Sequence, residues 1–142
     1  MIPHLSERAL IVAPQGRDAI VAQSMLEEAG LRSAIVGDVT RLVEELTAGA
    51  GFGLVTEESL ARTDLNPLVH WIKAQPEWSD FPFILLTRRG GGLERNPSAR
   101  RYLDLLGNVT FLERPFHPTT LVSLAESALR GRGRQYDARA RL

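Results

Sequence analysis

Short apolar runs alternate along the chain with longer segments in which apolar residues recur at helical spacing. The runs are rich in β-branched and other apolar residues, a composition typical of strands buried on both faces of a parallel sheet. The stretches predicted to be strands are Ala9–Ala13, Ser33–Val36, Phe52–Thr56, Phe81–Thr87 and the run that begins at Val109. This alternation predicts five strands separated by helical segments.

The segments between the apolar runs carry recognisable helix signals. Asp38, Asn66 and Asn96 are predicted N-caps, and Pro67 and Pro97 follow the last two at the first helical position. The first helix is predicted over Arg17–Ala29, the third over Pro67–Gln75, and the last from Pro118 onward. In the first helix we expect the buried stripe to contain Ile20, Val21, Met25 and Leu26.

Strands that alternate with helices predict a parallel sheet covered on both faces, because parallel strands need crossover connections. At this size we expect an α/β, flavodoxin-like, doubly wound five-stranded parallel sheet of order 2-1-3-4-5 with helices on both faces. In that order the functional crevice lies at the carboxyl ends of strands one and three.

Composition is that of a globular protein in a reducing compartment. The chain has 142 residues, 44% of them hydrophobic and 24% charged, which suits one domain with a real core. It contains no cysteine, and this excludes a disulfide scaffold and thiolate chemistry. No apolar segment approaches the roughly 20 residues of a membrane span, so we expect no membrane segment and a cytoplasmic protein.

Charge is balanced overall but concentrated at one end. The net charge is zero, yet residues 130–142 hold five arginines against one aspartate. Tyr136 is the only aromatic residue among these arginines, which argues against specific nucleic-acid recognition. We therefore predict a domain over residues 1–130, followed at 131–142 by a basic tail or the start of a helical connector.

The sequence offers no arrangement for catalysis or metal binding. His4, His70 and His117 stand apart without the spacing of metal ligands, and no Ser-His-Asp set can be defended. The loop around Gly90–Gly92 lacks the lysine and following Ser/Thr of a phosphate-binding loop. We expect no enzyme activity, no metal and no cofactor.

One stretch near the carboxyl end resembles a known family. Gly107, Phe111, Arg114 and Pro115, with Leu112 between them, stand at the intervals of the fifth-strand motif of receiver domains of two-component response regulators, with arginine in place of the family's lysine. Thr87 matches the Ser/Thr that closes the family's fourth strand. The resemblance covers about residues 8–130. It implies a CheY-like fold, a cis Arg114–Pro115 bond, and Phe111 in the position of the aromatic switch residue that moves with Thr87.

The same resemblance shows where the chain departs from the family. Ala13 and Pro14 occupy the positions of the acidic pair that holds magnesium, and neither offers a side-chain oxygen. At the phosphoacceptor position the chain reads Thr56-Glu57-Glu58, with Glu57 the best match and Glu58 one residue away. We therefore predict a pseudo-receiver that is not phosphorylated by the family's mechanism.

The role of the glutamates is left open by the sequence. Glu57 can mimic a phosphorylated state, or it can be an exposed acid at a helix start, where its charge suits the helix dipole. Its longer side chain suggests an ion pair with Arg114, although Glu58 is an equal candidate for that pair. The alternative to an ion pair with a glutamate is that Arg114 retains a role in binding an anion.

A narrower resemblance is to the degenerate receiver module at the N-terminus of some bacterial sensor histidine kinases. The stretches that carry it are Thr56–Glu58, Gln75–Asp80, Asn108–Pro115 and Arg134–Tyr136. It implies a module that regulates a linked histidine kinase, or contacts another two-component protein, with a possible homodimer through the last strand and helix, Thr110–Leu129. The alternatives are an atypical phosphoacceptor receiver and a flavodoxin-like domain that binds a small anion or nucleotide near Ala13, Thr56 and Thr87.

Overall fold

The computed structural model of the chain describes residues 6–90 and 96–141. The strands are β1 (Ala9–Val12), β2 (Ser33–Ile35), β3 (Phe52–Thr56), β4 (Phe83–Thr87) and β5 (Val109–Glu113). The helices are α1 (Asp18–Glu28), α2 (Val39–Ala48), α3 (Glu57–Ala61), α4 (Asn66–Lys73), α5 (Pro97–Leu106) and α6 (Pro118–Ala140). His4 and most of the predicted glycine loop, Gly91 and Gly92, lie outside the described residues.

The five strands form one parallel sheet in the order β2-β1-β3-β4-β5, which confirms the predicted fold class. Leu10 and Val12 point to a core shared with α2, α4 and α5, whereas Ala9 and Ile11 point to a second core shared with α1 and α6. Because both faces of the sheet are covered, β1, β3 and β4 are buried at every residue, which explains their continuous apolar runs.

Most predicted helix ends are confirmed by their contacts. The Asp38 carboxylate accepts a hydrogen bond of 2.8 Å from the Arg41 amide at the start of α2. Asn96 caps α5 through the Ser98 amide, and Gly107 ends that helix with a φ of 75°, a conformation that favours glycine. His117 precedes α6 in an extended conformation, as expected of a residue before proline.

One predicted cap is wrong. Asn66 is the first residue of α4 and makes no capping contact with its side chain. The Asp64 carboxylate accepts a hydrogen bond of 3.0 Å from the Asn66 amide instead. The segment after β3 also holds two helices rather than one, since α3 ends at Ala61 before α4 begins.

The predicted buried stripe of α1 is also wrong in part. Ile20 is 57% exposed and Val21 36% exposed, whereas Ala19, Ala22 and Leu26 are buried. The buried residues follow the i, i+3, i+7 spacing of one helix face, so the small alanines let α1 lie close to the sheet and to α6. No helix within the described residues is long and apolar enough to cross a membrane.

Helix α6 extends beyond residue 130, the predicted end of the domain. It continues without a break to Ala140, through the arginine-rich segment. The division into residues 1–130 and 131–142 stays a prediction.

Candidate functional site

The sheet register brings the predicted site residues to one edge. Val12 lies beside Val55 and Leu86 beside Thr56, so the carboxyl ends of β1, β3 and β4 are level. Thr87 lies beside Glu113, which places Arg114 at the same edge. Ala13 and Pro14 follow β1, Glu57 and Glu58 follow β3, and the Arg114–Pro115 peptide bond after β5 is cis, as the resemblance implied.

Arg114 is held by two carboxylates. Its guanidinium group contacts Glu58 at 2.6 Å from Nη2 to Oε1 and 3.3 Å from Nη1 to Oε2, a two-pronged pair. The Asp18 Oδ2 atom accepts two further hydrogen bonds, 3.1 Å from Nε and 2.9 Å from Nη2. We call this group of Asp18, Glu58 and Arg114 the strand-end clamp.

The clamp keeps Arg114 charged. Burial alone would lower the pKa of Arg114, but hydrogen bonds with Glu58 and Asp18 outweigh it, and the pKa is raised. A raised pKa means that the stabilisation is fully present below the ordinary arginine pKa and is lost only as the pH rises through the higher folded value. Arg114 is therefore charged throughout the neutral range.

Glu57 is not part of the clamp: the predicted ion pair with Arg114 is formed by Glu58, the other candidate, and not by Glu57. Its Oε1 atom instead accepts a hydrogen bond of 2.7 Å from Asn96 Nδ2. Glu57 is the first residue of α3, and Glu58 is the second; the helix turn directs the two side chains to different partners. Glu57 thus connects the end of β3 to the start of α5.

The end of β3 is fixed by its own hydroxyl groups. Thr56 is buried and caps α3, since its Oγ1 accepts a hydrogen bond of 3.1 Å from the Ser59 amide. The Ser59 hydroxyl donates back to the Thr56 carbonyl at 2.8 Å. Both hydroxyls are thereby used in starting α3.

Thr87 is the last residue of β4 and Phe111 is the middle residue of β5, the positions that the resemblance implied. Thr87 is fully buried, its carbonyl accepts a 2.9 Å hydrogen bond from the Arg114 amide, and its Oγ1 has no hydrogen-bond partner in the structure. Phe111 is half-buried and packs against the core that contains Tyr102. The contacts of Phe111 are those of a packing residue.

The pKa of Tyr102 on α5 depends on the charges at this edge. Burial raises its pKa, Arg101 lowers it, and the negative charges of Glu57 and Glu58 raise it again, so that the net shift is upward. The Tyr102 hydroxyl therefore remains a neutral hydrogen-bonding group at neutral pH.

The acids at this edge are arranged for ion pairing rather than for metal binding. Magnesium is bound through carboxylate oxygens that converge on one point. Here two of the three carboxylates converge on the Arg114 guanidinium and the third, that of Glu57, contacts an amide. Across residues 6–90 and 96–141, no three acidic or histidine side chains are grouped to hold a metal ion.

Two residues of this edge were missed by the sequence reading. Asp18 is the first residue of α1, and in a parallel sheet the helix after β1 begins at the same edge as the predicted site. Its position was therefore a usable signal. Asn96 was predicted only as a cap, and its second role toward Glu57 required the three-dimensional proximity of α3 and α5.

Solved structures of receiver domains are similar to this chain. The signal receiver domain of a signal transduction histidine kinase from Syntrophus aciditrophicus matches with a TM-score of 0.69 and 25% identity, over 88% of this chain and 91% of that one. A CheY-like response regulator receiver domain protein from Methanospirillum hungatei JF-1 matches with a TM-score of 0.70 and 17% identity, over 91% and 98%. Full-length FixJ from B. japonicum matches with a TM-score of 0.68 and 24% identity.

These likenesses establish the fold as that of CheY-like receiver domains. The chain spans only 59% of the length of FixJ, although 89% of the chain is covered by the match. No protein-family model matches the sequence, and a search of curated proteins finds no match.

Proposed function

We propose that this chain is a receiver-like signalling module of a two-component system that works without phosphorylation, through contacts with other proteins. The observation that carries the proposal is the strand-end clamp. A receiver needs free carboxylates around a metal and an accessible acceptor, because the metal neutralises the charge of the transferring phosphoryl group. Here Arg114 occupies the place between the carboxylates of Asp18 and Glu58.

The residues after β1 support the same proposal. Ala13 is 7% exposed and Pro14 is exposed, and neither side chain has an oxygen to offer to a metal. Glu57, the best match to the acceptor, has its carboxylate hydrogen-bonded to Asn96. This contact with the start of α5 needs no modification of Glu57 to form.

The partner we propose is a histidine kinase, linked or separate, or another protein of a two-component system. The support is the likeness to a receiver domain that is itself part of a histidine kinase, together with the resemblance noted in the sequence. A homodimer through Thr110–Leu129 belongs to the same proposal, and sedimentation of the chain over a range of concentrations tests it.

The direct test is exposure of the chain to a small-molecule phosphodonor with magnesium, followed by intact-mass measurement. We expect no mass change under conditions in which an active receiver domain, treated in parallel, gains one phosphoryl group. A stable acyl phosphate on Glu57 or Glu58 would contradict the proposal and favour an atypical phosphoacceptor.

A small-anion or nucleotide site is the other candidate, and the unpartnered buried hydroxyl of Thr87 is the observation in its favour. Thermal unfolding with and without phosphate, nucleotide or flavin separates the candidates. A rise in the unfolding temperature with one of these ligands, abolished in Thr87→Val, would support the anion site against the contact-only module.

A further inference from the structure

The second half of α6 contains a point of low helix stability. Gly131 and Gly133 lie inside the helix, and each glycine in a helix interior costs about fivefold in the helix–coil equilibrium relative to alanine. Neither has a positive φ, and a Cβ atom added at either position would meet nothing within 4 Å. Neither backbone conformation nor packing therefore requires glycine here, and the effect of both residues is to loosen the helix.

Arg132, between the two glycines, holds the helix against the domain. It is only 6% exposed, and its guanidinium carbon lies 5.4 Å from the ring centre of Trp78, 5.3 Å from that of Phe81 and 4.8 Å from that of Tyr136. Such stacking of a guanidinium on aromatic faces is attractive, the more so when water is excluded.

Hydrogen bonds fix the same contact. Arg132 Nη1 donates to Ser79 Oγ at 2.7 Å and to Gln135 Oε1 at 2.6 Å. Gln135, one turn later, receives a 2.8 Å hydrogen bond from the Asp80 amide and donates one of 2.8 Å to the Asp80 carbonyl. Arg132 and Gln135 thus attach the helix to the segment that links α4 to β4, and we call this attachment the α6 clasp.

We propose that Gly131-Arg132-Gly133 is a hinge in α6 that the α6 clasp holds straight. With the clasp closed, α6 is one continuous helix to Ala140. With the clasp open, the two glycines let the helix bend or unwind from residue 131 onward, because an isolated helical end of this length is only marginally stable in water. The direction of the end of α6 is then set by a reversible contact, and this holds whether or not the strand-end site is ever phosphorylated.

Hydrogen exchange of the chain of residues 1–142 tests the proposal. In Arg132→Met, which keeps an unbranched apolar stem but loses the guanidinium group, we expect amide protection over residues 134–139 to fall about tenfold or more. Residues 121–128 should keep clear protection, reduced at most by the loss of overall stability, because Leu121 and Ala125 are buried in the second core. The matched control is Arg134→Met on the exposed side of the same helix, with no loss expected.

A rescue experiment separates a hinge from a simple stability effect. Gly131→Ala and Gly133→Ala, introduced together into Arg132→Met, should restore most of the lost protection, since both positions have room for a methyl group. A loss of protection over 121–128 as complete as that over 134–139 in Arg132→Met, or failure of the alanines to restore protection, would overturn the hinge. If Arg132→Met does not fold, Gln135→Ala removes both contacts to Asp80 and is expected to give the same local loss.

Distance measurements give an independent readout. The chain has no cysteine, so spin labels can be attached to Ser123→Cys and Ala138→Cys without first replacing any native cysteine. A straight helix places these positions about 22 Å apart along the axis. We expect a narrow distance distribution in the otherwise unchanged chain and a broad one when Arg132→Met is added, and equally narrow distributions in both would overturn the proposal.

Discussion

Arg114 and Arg132 lie at opposite ends of the sheet, and different kinds of contact shield them from water. Arg114 follows β5 at the carboxyl edge and contacts two carboxylates, whereas Arg132 packs beside the entry to β4 and contacts aromatic rings and neutral oxygens. Charge pairing raises the pKa of Arg114 above its usual range. Burial lowers the pKa of Arg132, and its interactions with Tyr136 and Asp80 only partly offset this.

The difference shows what each contact can do. The strand-end clamp is an ion-pair group at a partly solvated edge, where the energy per pair is modest and depends on salt. The α6 clasp excludes water from a cation and depends on packing and geometry. The strength of the first contact should therefore vary with salt, whereas that of the second should depend on complete packing around the guanidinium group.

The largest effect is expected from Arg132→Ala. It removes a buried side chain that packs against Trp78 and Tyr136, together with its hydrogen bonds to Ser79 and Gln135, so we expect the free energy of unfolding to fall by about 2–4 kcal/mol. Urea denaturation followed by circular dichroism measures it. Arg134→Ala is the control, with an expected change in the free energy of unfolding within about 0.5 kcal/mol. An equally small change for Arg132→Ala would contradict the expectation that Arg132 contributes more stability than Arg114.

A smaller effect is expected from Arg114→Met. The change leaves the Asp18 and Glu58 carboxylates close together without a cation, and because both remain partly solvated we expect a loss of about 1–2 kcal/mol. The same denaturation experiment should show that loss shrinking as salt is added, since salt screens the repulsion. A loss that does not change with salt would mean that Arg114 acts through packing, as Arg132 does.

Asn96→Ala tests whether the contact between the Asn96 amide and the Glu57 carboxylate matters for the fold. The change removes the cap of α5 and the donor to Glu57, and a lost helix cap costs about 1 kcal/mol. Thermal unfolding measures the change. Asn96→Ser keeps a capping side chain and is expected to recover most of the loss; no recovery would assign the effect to the Glu57 contact instead.

The smallest effect is expected from Glu57→Gln. Glutamine retains an oxygen that accepts the hydrogen bond from Asn96 Nδ2, so the free energy of unfolding should change by less than about 0.5 kcal/mol. Glu58→Gln, which loses a charge paired with Arg114, is the comparison and should cost more. Equal costs for both variants would show that Glu57 contributes through its charge.

The buried parallel strands could be predicted because burial on both faces gives a continuous apolar run, as in Ala9–Val12 and Phe83–Thr87. The buried face of α1 was harder to predict. Alanine contributes little to an apolar pattern, so the larger Ile20 and Val21 dominated it, although Ala19 and Ala22 lie against the core.

The charged contacts could be predicted less well than the apolar ones. Arg114 and Glu58 were candidates for a pair because the resemblance placed both at one edge, but the sequence could not choose between neighbouring glutamates. The burial of Arg132 could not be predicted from the sequence. Arg132 is one arginine in an arginine-rich segment, and its burial depends on Trp78, which lies 54 residues earlier and meets it only through the fold.

The position of Trp78 gives the molecule an optical reporter of its own. The chain has two tryptophans, and they lie in different surroundings: Trp71 packs edge-on against Phe81, whereas Trp78 lies beside the guanidinium groups of Arg132 and Arg139. With Trp71→Phe in place, the emission wavelength and quenching of the remaining indole follow the state of the α6 clasp directly. A binding partner that opens or closes it would therefore be visible in unlabelled protein, in real time.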